Sequence, residues 1–115
     1  MKIEEFEAQA AAEYPGIPVE FSDGVTIVLR SSLDLDADSE MLMEAARKEY
    51  YALDEATSEI ADFRRSLVEV LAVVADDYEL AKERFTTLRL SVLQAMLKEA
   101  NKQQTDAAKS SEGSD

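Results

Sequence analysis

The chain has 115 residues, 46% of them hydrophobic, with 12 basic and 25 acidic side chains and a formal net charge of −13. That length allows one modest core plus tails, and that charge repels phosphate backbones and anionic lipid, so neither nucleic acid nor a membrane is an expected partner. With no His and no Cys, imidazole and thiolate catalysis are excluded, along with the commonest transition-metal ligands.

Residues 3 to 13 predict a short leading helix that ends before Pro15, because a residue ahead of proline is pushed out of the helical region. The opening Met-Lys-Ile-Glu-Glu-Phe-Glu has no charged stretch followed by an apolar run, so no signal peptide is expected. The longest strongly apolar run, Val70 to Ala75, is far short of a membrane span. A soluble cytoplasmic protein is the expectation, and the lack of Cys fits a reducing compartment.

A hairpin follows over residues 17 to 30. Val19, Phe21, Val25, Ile27 and Leu29 alternate with Glu20, Ser22 and Thr26 around an Asp23-Gly24 turn, the period of half-buried strands. A two-residue loop would set Phe21 opposite Thr26 and Glu20 opposite Ile27, mixing the faces. A three-residue loop, Ser22-Asp23-Gly24, pairs Phe21 with Val25, Val19 with Ile27 and Ile17 with Leu29, so all six share one face. The second register is preferred, with Gly24 in the left-handed conformation of a bulged turn. Pro18 suits an edge strand, and a lone hairpin needs helices over its apolar face.

The rest reads as helix. After a polar connection from Arg30 to Asp38, a helix capped by Asp38 or Ser39 runs to about Asp54, with Leu42, Ala45, Ala46, Tyr50 and Leu53 as its stripe. A second covers roughly 58 to 75, striped by Ile60, Phe63, Leu67, Val70, Leu71 and Val74 and widened by Val68 and Val73; it should be the central buried helix. Asp76 and Asp77 open a shorter helix to about Arg84. Phe85, Leu88 and Leu90 then form an apolar link, and Ser91 caps a last helix through Ala100 with Val92, Leu93, Met96 and Leu97. The fold class is therefore mostly α, an N-terminal β-hairpin packed on a bundle of about four helices. Residues 1 to 104 form the domain, and 105 to 115, polar and small, are expected to be a disordered tail.

No reading of the residues yields a catalytic, cofactor or metal site. Asp34-Leu35-Asp36-Ala37-Asp38 opens like an EF-hand calcium loop, but Ser39 stands where that loop needs Gly, and Ala45 where it needs the bidentate Glu. A solvated linker whose last Asp or Ser caps a helix is preferred. Asp76-Asp77 has the residue types of an acid/base pair, yet acids at a helix start favour the dipole, and the structural reading is preferred there too. Tyr50-Tyr51 should split between core and surface. Arg64-Arg65 diverge on a helix, so at most one of them faces an apolar partner. A chain this small cannot bury every apolar residue, and the third helix and the segment carrying Phe85, Leu88, Leu90, Leu93 and Met96 are where surplus surface for a partner or a second copy is expected.

Phe6 in a leading helix comes first, then Val19-Glu-Phe-Ser-Asp-Gly-Val-Thr-Ile-Val-Leu-Arg30, a polar connection and helix, a Leu/Val/Ala helix, Asp-Asp, and finally Phe85-Thr-Thr-Leu-Arg-Leu-Ser-Val-Leu. Over about residues 5 to 104 this order resembles the tail assembly chaperones of long-tailed bacteriophages. The resemblance implies a non-enzymatic protein of the infected host's cytoplasm, absent from the mature virion, that looks after the long helical tape measure protein before the tail tube polymerises round it. In many such relatives a translational frameshift adds a second segment to some copies, which is thought to recruit the tail tube protein; this chain looks like the unshifted form. The partners so implied are the tape measure protein and, through a longer form, the tail tube protein; apart from the resemblance, a shared apolar face would allow a second copy of the chain.

Two other classes stay open. An acidic inhibitor that mimics DNA, of the antirestriction or anti-CRISPR type, fits the charge, but Arg47, Lys48, Arg64, Arg65, Lys82, Arg84, Arg89 and Lys98 interrupt the negative stripe such a mimic needs. A structural subunit of the virion is the other, and it would be found in finished particles.

Overall fold

A computed structural model describes the backbone of residues 1–113 and the side chains of residues 1–102. In chain order the elements are α1 (Ile3–Glu13), β1 (Ile17–Glu20), β2 (Thr26–Leu29), a 3₁₀ turn (Ser32–Asp34), α2 (Ala37–Tyr51), α3 (Ile60–Val74), α4 (Tyr78–Phe85) and α5 (Leu90–Gly113). The fold is mostly α with a small antiparallel hairpin, as the periodicities require.

α3 is the centre. Its start is fixed by a capping box, in which the Glu59 side chain accepts from the backbone of Asp62 and the Glu59 N–H donates to Asp62 Oδ2 at 2.9 Å. From there Leu67, Val68 and Val70 to Val74 are all buried, because α2, α4, α5 and β2 all pack against the helix. The second half of α3, apolar on most sides, is stable only in such a setting. Ile60, placed on the buried stripe by sequence, is instead 67% exposed; it lies in the first turn, before α2 and the hairpin cover the helix.

The hairpin has the register expected of a three-residue loop. Ile17 pairs with Leu29 and Val19 with Ile27, and Phe21 N–H donates to Val25 O at 2.8 Å. Gly24 has φ of +89°, the left-handed region that a Cβ disfavours. Ile27 and Leu29 are fully buried, and Ile17, Val19, Phe21 and Val25 pack half-buried against the same core. β1 is the free edge, where Pro18 costs no ladder bond.

The far edge of β2 is occupied by the end of α3. Leu29 bridges Ala75 in antiparallel fashion, with Arg30 N–H on Val74 O and Asp76 N–H on Val28 O, each at 2.9 Å. Asp76 Oδ1 accepts the Val28 N–H at 3.0 Å. Arg30 Nε donates to Val74 O at 3.0 Å and its Nη2 to Val73 O at 3.2 Å, so a cation sits on the last carbonyls of α3, where it complements the helix dipole. At its other end the hairpin meets α4: Phe21 stacks on Phe85 with centroids 6.4 Å apart, and Arg84 lies over the Phe21 ring and pairs with Asp23 at 2.8 Å.

Several boundaries and faces differ from the sequence expectation. α2 starts at Ala37 with Asp36 as N-cap and ends at Tyr51, because Asp54 turns the chain, its carboxylate accepting from Ala56 N–H at 2.8 Å. Its inward residues are Met43 and Ala46, with Tyr50 half-buried, while Leu42 and Ala45 face out. α2 has apolar residues on both stripes, and the flexible Met43 side chain fills the inner one. α5 begins at Leu90 rather than at a Ser91 cap and continues to Gly113, well past Ala100. No Pro or Gly intervenes, and Lys, Gln and Ala sustain a helix. The expected disordered tail at 105–115 falls on residues whose side chains are outside those described, with 114 and 115 outside altogether.

Three outcomes follow. A Cβ at Gly24 meets nothing within 4 Å, whereas at Gly16, φ +80°, it falls 2.6 Å from Leu29 O. Gly24→Ala should therefore lose only the backbone strain of about 1–2 kcal/mol, and Gly16→Ala distinctly more, in urea melts of both variants. Arg30→Met, which strands the Val73 carbonyl and leaves Val74 O only the Arg30 backbone N–H, should lose roughly 1.5–3 kcal/mol in the same assay. Hydrogen bonding to Arg84 is the first cause holding the Asp23 carboxyl below its ordinary value of 3.8. Such a depressed acid stabilises the fold above its unfolded pKa, and the gain is lost as pH falls through the lower folded value. The difference in melting temperature between wild type and Asp23→Asn should accordingly shrink from pH 6 to pH 2.

Candidate functional site

The acidic sequences that resembled chemistry are used locally. Asp34 closes the 3₁₀ turn, and Asp36 is the N-cap of α2, its carboxyl lowered chiefly by Ser39 beside it. Asp76 and Asp77 point to different tasks, the first to the Val28 N–H and the second to the Leu80 N–H at 3.1 Å as N-cap of α4. Among the described residues no three His, Cys, Asp or Glu side chains are grouped to hold a metal ion.

One polar network links α3 to α4. Tyr78 OH lies 3.0 Å from both carboxylate oxygens of Glu69, and Lys82 Nζ is 2.8 Å from Glu69 Oε2 and 3.1 Å from Tyr78 OH. Glu69, then Tyr78, pushes the Lys82 ammonium above its ordinary pKa. The triad ties α3 to α4. Arg64 and Arg65 diverge as expected: Arg65 is exposed and 3.7 Å from Asp62, while the Arg64 Nε is buried.

Of the five residues expected to form a partner surface, Phe85 and Leu93 are 0% exposed and belong to the core. Phe85 closes α4 against Phe21, and Leu93 lies on the face of α5 that packs on α3. Leu88, Leu90 and Met96 are half-buried around them. Their sequence stripe reads the same whether the covering group is this chain or another.

Apart from Val92 on α5, at 38%, the large apolar side chains that stand in solvent lie elsewhere. Ile3 and Phe6 are on α1, none of whose residues is buried, and Met41 and Leu42 are on the outer face of α2. A third group gathers where α2 ends and α3 begins. Tyr50 meets Tyr51 edge-on at 5.2 Å and Phe63 edge-on at 6.4 Å. Tyr51 is 60% exposed, and Ile60 stands one turn from Phe63. Only Tyr50 of this group packs against the main core. Beside it runs an open groove of about 420 Å³ lined by Ala46, Glu49, Leu53, Asp62, Arg65, Ser66, Glu69 and Lys82. The split of Tyr50 and Tyr51 between core and surface was legible from adjacency on a helix; the exposure of Ile60 was not, since it falls on the same stripe as Phe63 and Leu67.

Among the described residues no helix is long and apolar enough to cross a membrane. No protein-family model matches the chain, and neither a curated protein nor a solved structure does.

Proposed function

We propose that this chain is a non-enzymatic tail assembly chaperone of a long-tailed bacteriophage. It binds the tape measure protein in the host cytoplasm during tail morphogenesis and is left out of the mature virion. The observation that carries the reading is the placement of Phe6, Met41, Leu42, Tyr51 and Ile60 in solvent on a chain of net charge −13. Exposed apolar side chains supply a surface for helix packing, while like charge keeps the loaded complex dispersed. The order of hairpin and helices supports the same family. A frameshifted longer form would bring the tail tube protein to the same complex.

Co-expression with the tape measure protein encoded in the same genome tests this. The chain should keep that otherwise insoluble protein in solution, and the complex should survive moderate salt, because apolar contacts are not screened. A complex with a DNA-binding protein that salt dissolves would put the DNA-mimic reading in its place. Recovery of the chain from purified particles would favour a structural subunit.

A further inference from the structure

We propose that the small cavity between the 3₁₀ turn, α2 and the hairpin is a binding site for a monatomic anion of chloride size. The site lies outside the chaperone reading and does not depend on it.

Among the described residues, three buried side-chain nitrogen or oxygen atoms have no hydrogen-bond partner: Ser32 Oγ, Arg47 Nε and Arg64 Nε. Ser32 and Arg47 line the same cavity. Buried polar groups are nearly always satisfied, so two of them on one wall ask for a shared partner. The volume is about 30 Å³, room for a water or a monatomic ion and too little for an organic ligand. The donors restrict the occupant further. A guanidinium Nε only donates, so whatever meets Arg47 must accept, and the Ser32 hydroxyl can turn to donate to the same atom. Charge separates an anion from a water. Arg30 also lines the cavity, and no Asp or Glu does, although the chain has 25 acids against 12 bases. Arg47 has no ion pair among the described residues, and its Nη2 donates to a neutral acceptor, Asn101 Oδ1, at 3.1 Å. Arg30 likewise spends its donors on the Val73 and Val74 carbonyls. Asp36, held low chiefly by Ser39 and least by Arg30, does not line the cavity. A half-buried guanidinium without a carboxylate leaves charge uncompensated, and an anion offsets that charge where a water only completes a hydrogen bond. Ile17 and Ala100 complete the wall, so the bound ion joins α2 and α5 to the hairpin.

The full chain would be melted in sodium chloride from about 5 to about 200 mM, with sodium gluconate, whose anion is too large for the cavity, holding the ionic strength and hence the screening constant. The melting temperature should rise saturably by roughly 2–5 °C. Arg47→Met should lose that rise altogether, and Ser32→Ala, which removes a single hydroxyl, should lose at least half of it. Arg65→Gln, which changes an exposed cation outside the cavity, should keep it in full. Crystals of the wild-type chain grown in sodium bromide should show an anomalous peak within hydrogen-bond reach of Arg47 Nε and Ser32 Oγ, a readout that stands even if Arg47→Met fails to fold. A melting temperature indifferent to chloride would overturn the proposal. So would a rise kept in full by Ser32→Ala and Arg47→Met, or one lost equally in Arg65→Gln, which would assign it to the surface at large. A water without bromide at that position would replace the anion with a structural water.

Discussion

Strand β2 is laid along the end of α3, and the rest of the molecule is arranged around that junction. A two-stranded hairpin is marginal alone, and an α-helix ends with carbonyls that lack partners. Here each defect offsets the other. Ala75 leaves the helix in an extended conformation and bridges Leu29, so β2 has a neighbour on both edges. Arg30, the first residue after the strand, places its guanidinium on Val73 and Val74, and Asp76, two residues past the helix, returns a carboxylate to Val28. The hydrogen bonds to charged groups in this exchange belong to the stronger class. With the junction set, Ile27 and Leu29 are driven into the core beside Leu71 and Val74.

From this junction the hairpin leans across to α4, where Phe21 stacks on Phe85 and Arg84 covers the Phe21 ring. α4 is in turn joined to α3 by Tyr78 and Lys82 on Glu69. The hairpin, α3 and α4 therefore share side-chain bonds as well as apolar contact. α1 takes no part, since none of its residues is buried, and the α2–α3 turn is joined to the core chiefly by Tyr50. Several of the exposed apolar residues lie on α1, on the outer face of α2 and at the α2–α3 turn.

Sequence alone was sufficient wherever one local rule had a single solution. The hairpin register followed from requiring Ile17, Val19, Phe21, Val25, Ile27 and Leu29 on one face, because a slip of one residue turns every side chain over, and Gly24 followed from the turn that register demands. The central place of α3 followed from its second half, which is apolar on most sides, and α1 from Pro15. Tertiary structure decided the choices that local rules leave degenerate. α2 bears apolar residues on two stripes, and only the fit against α3 selected Met43 over Leu42. The stripe through Phe85 and Leu93 is compatible with a core or an interface, and the positions of Phe21 and α3 made it core. Arg30 reads as one residue of a polar connection, and Gly16 as a flank of Pro15, until Val74 and the Leu29 carbonyl are brought beside them. The physical reason is common to all four: periodicity and turn chemistry report on neighbours a few residues away, whereas burial and capping depend on which distant segment arrives to cover the group.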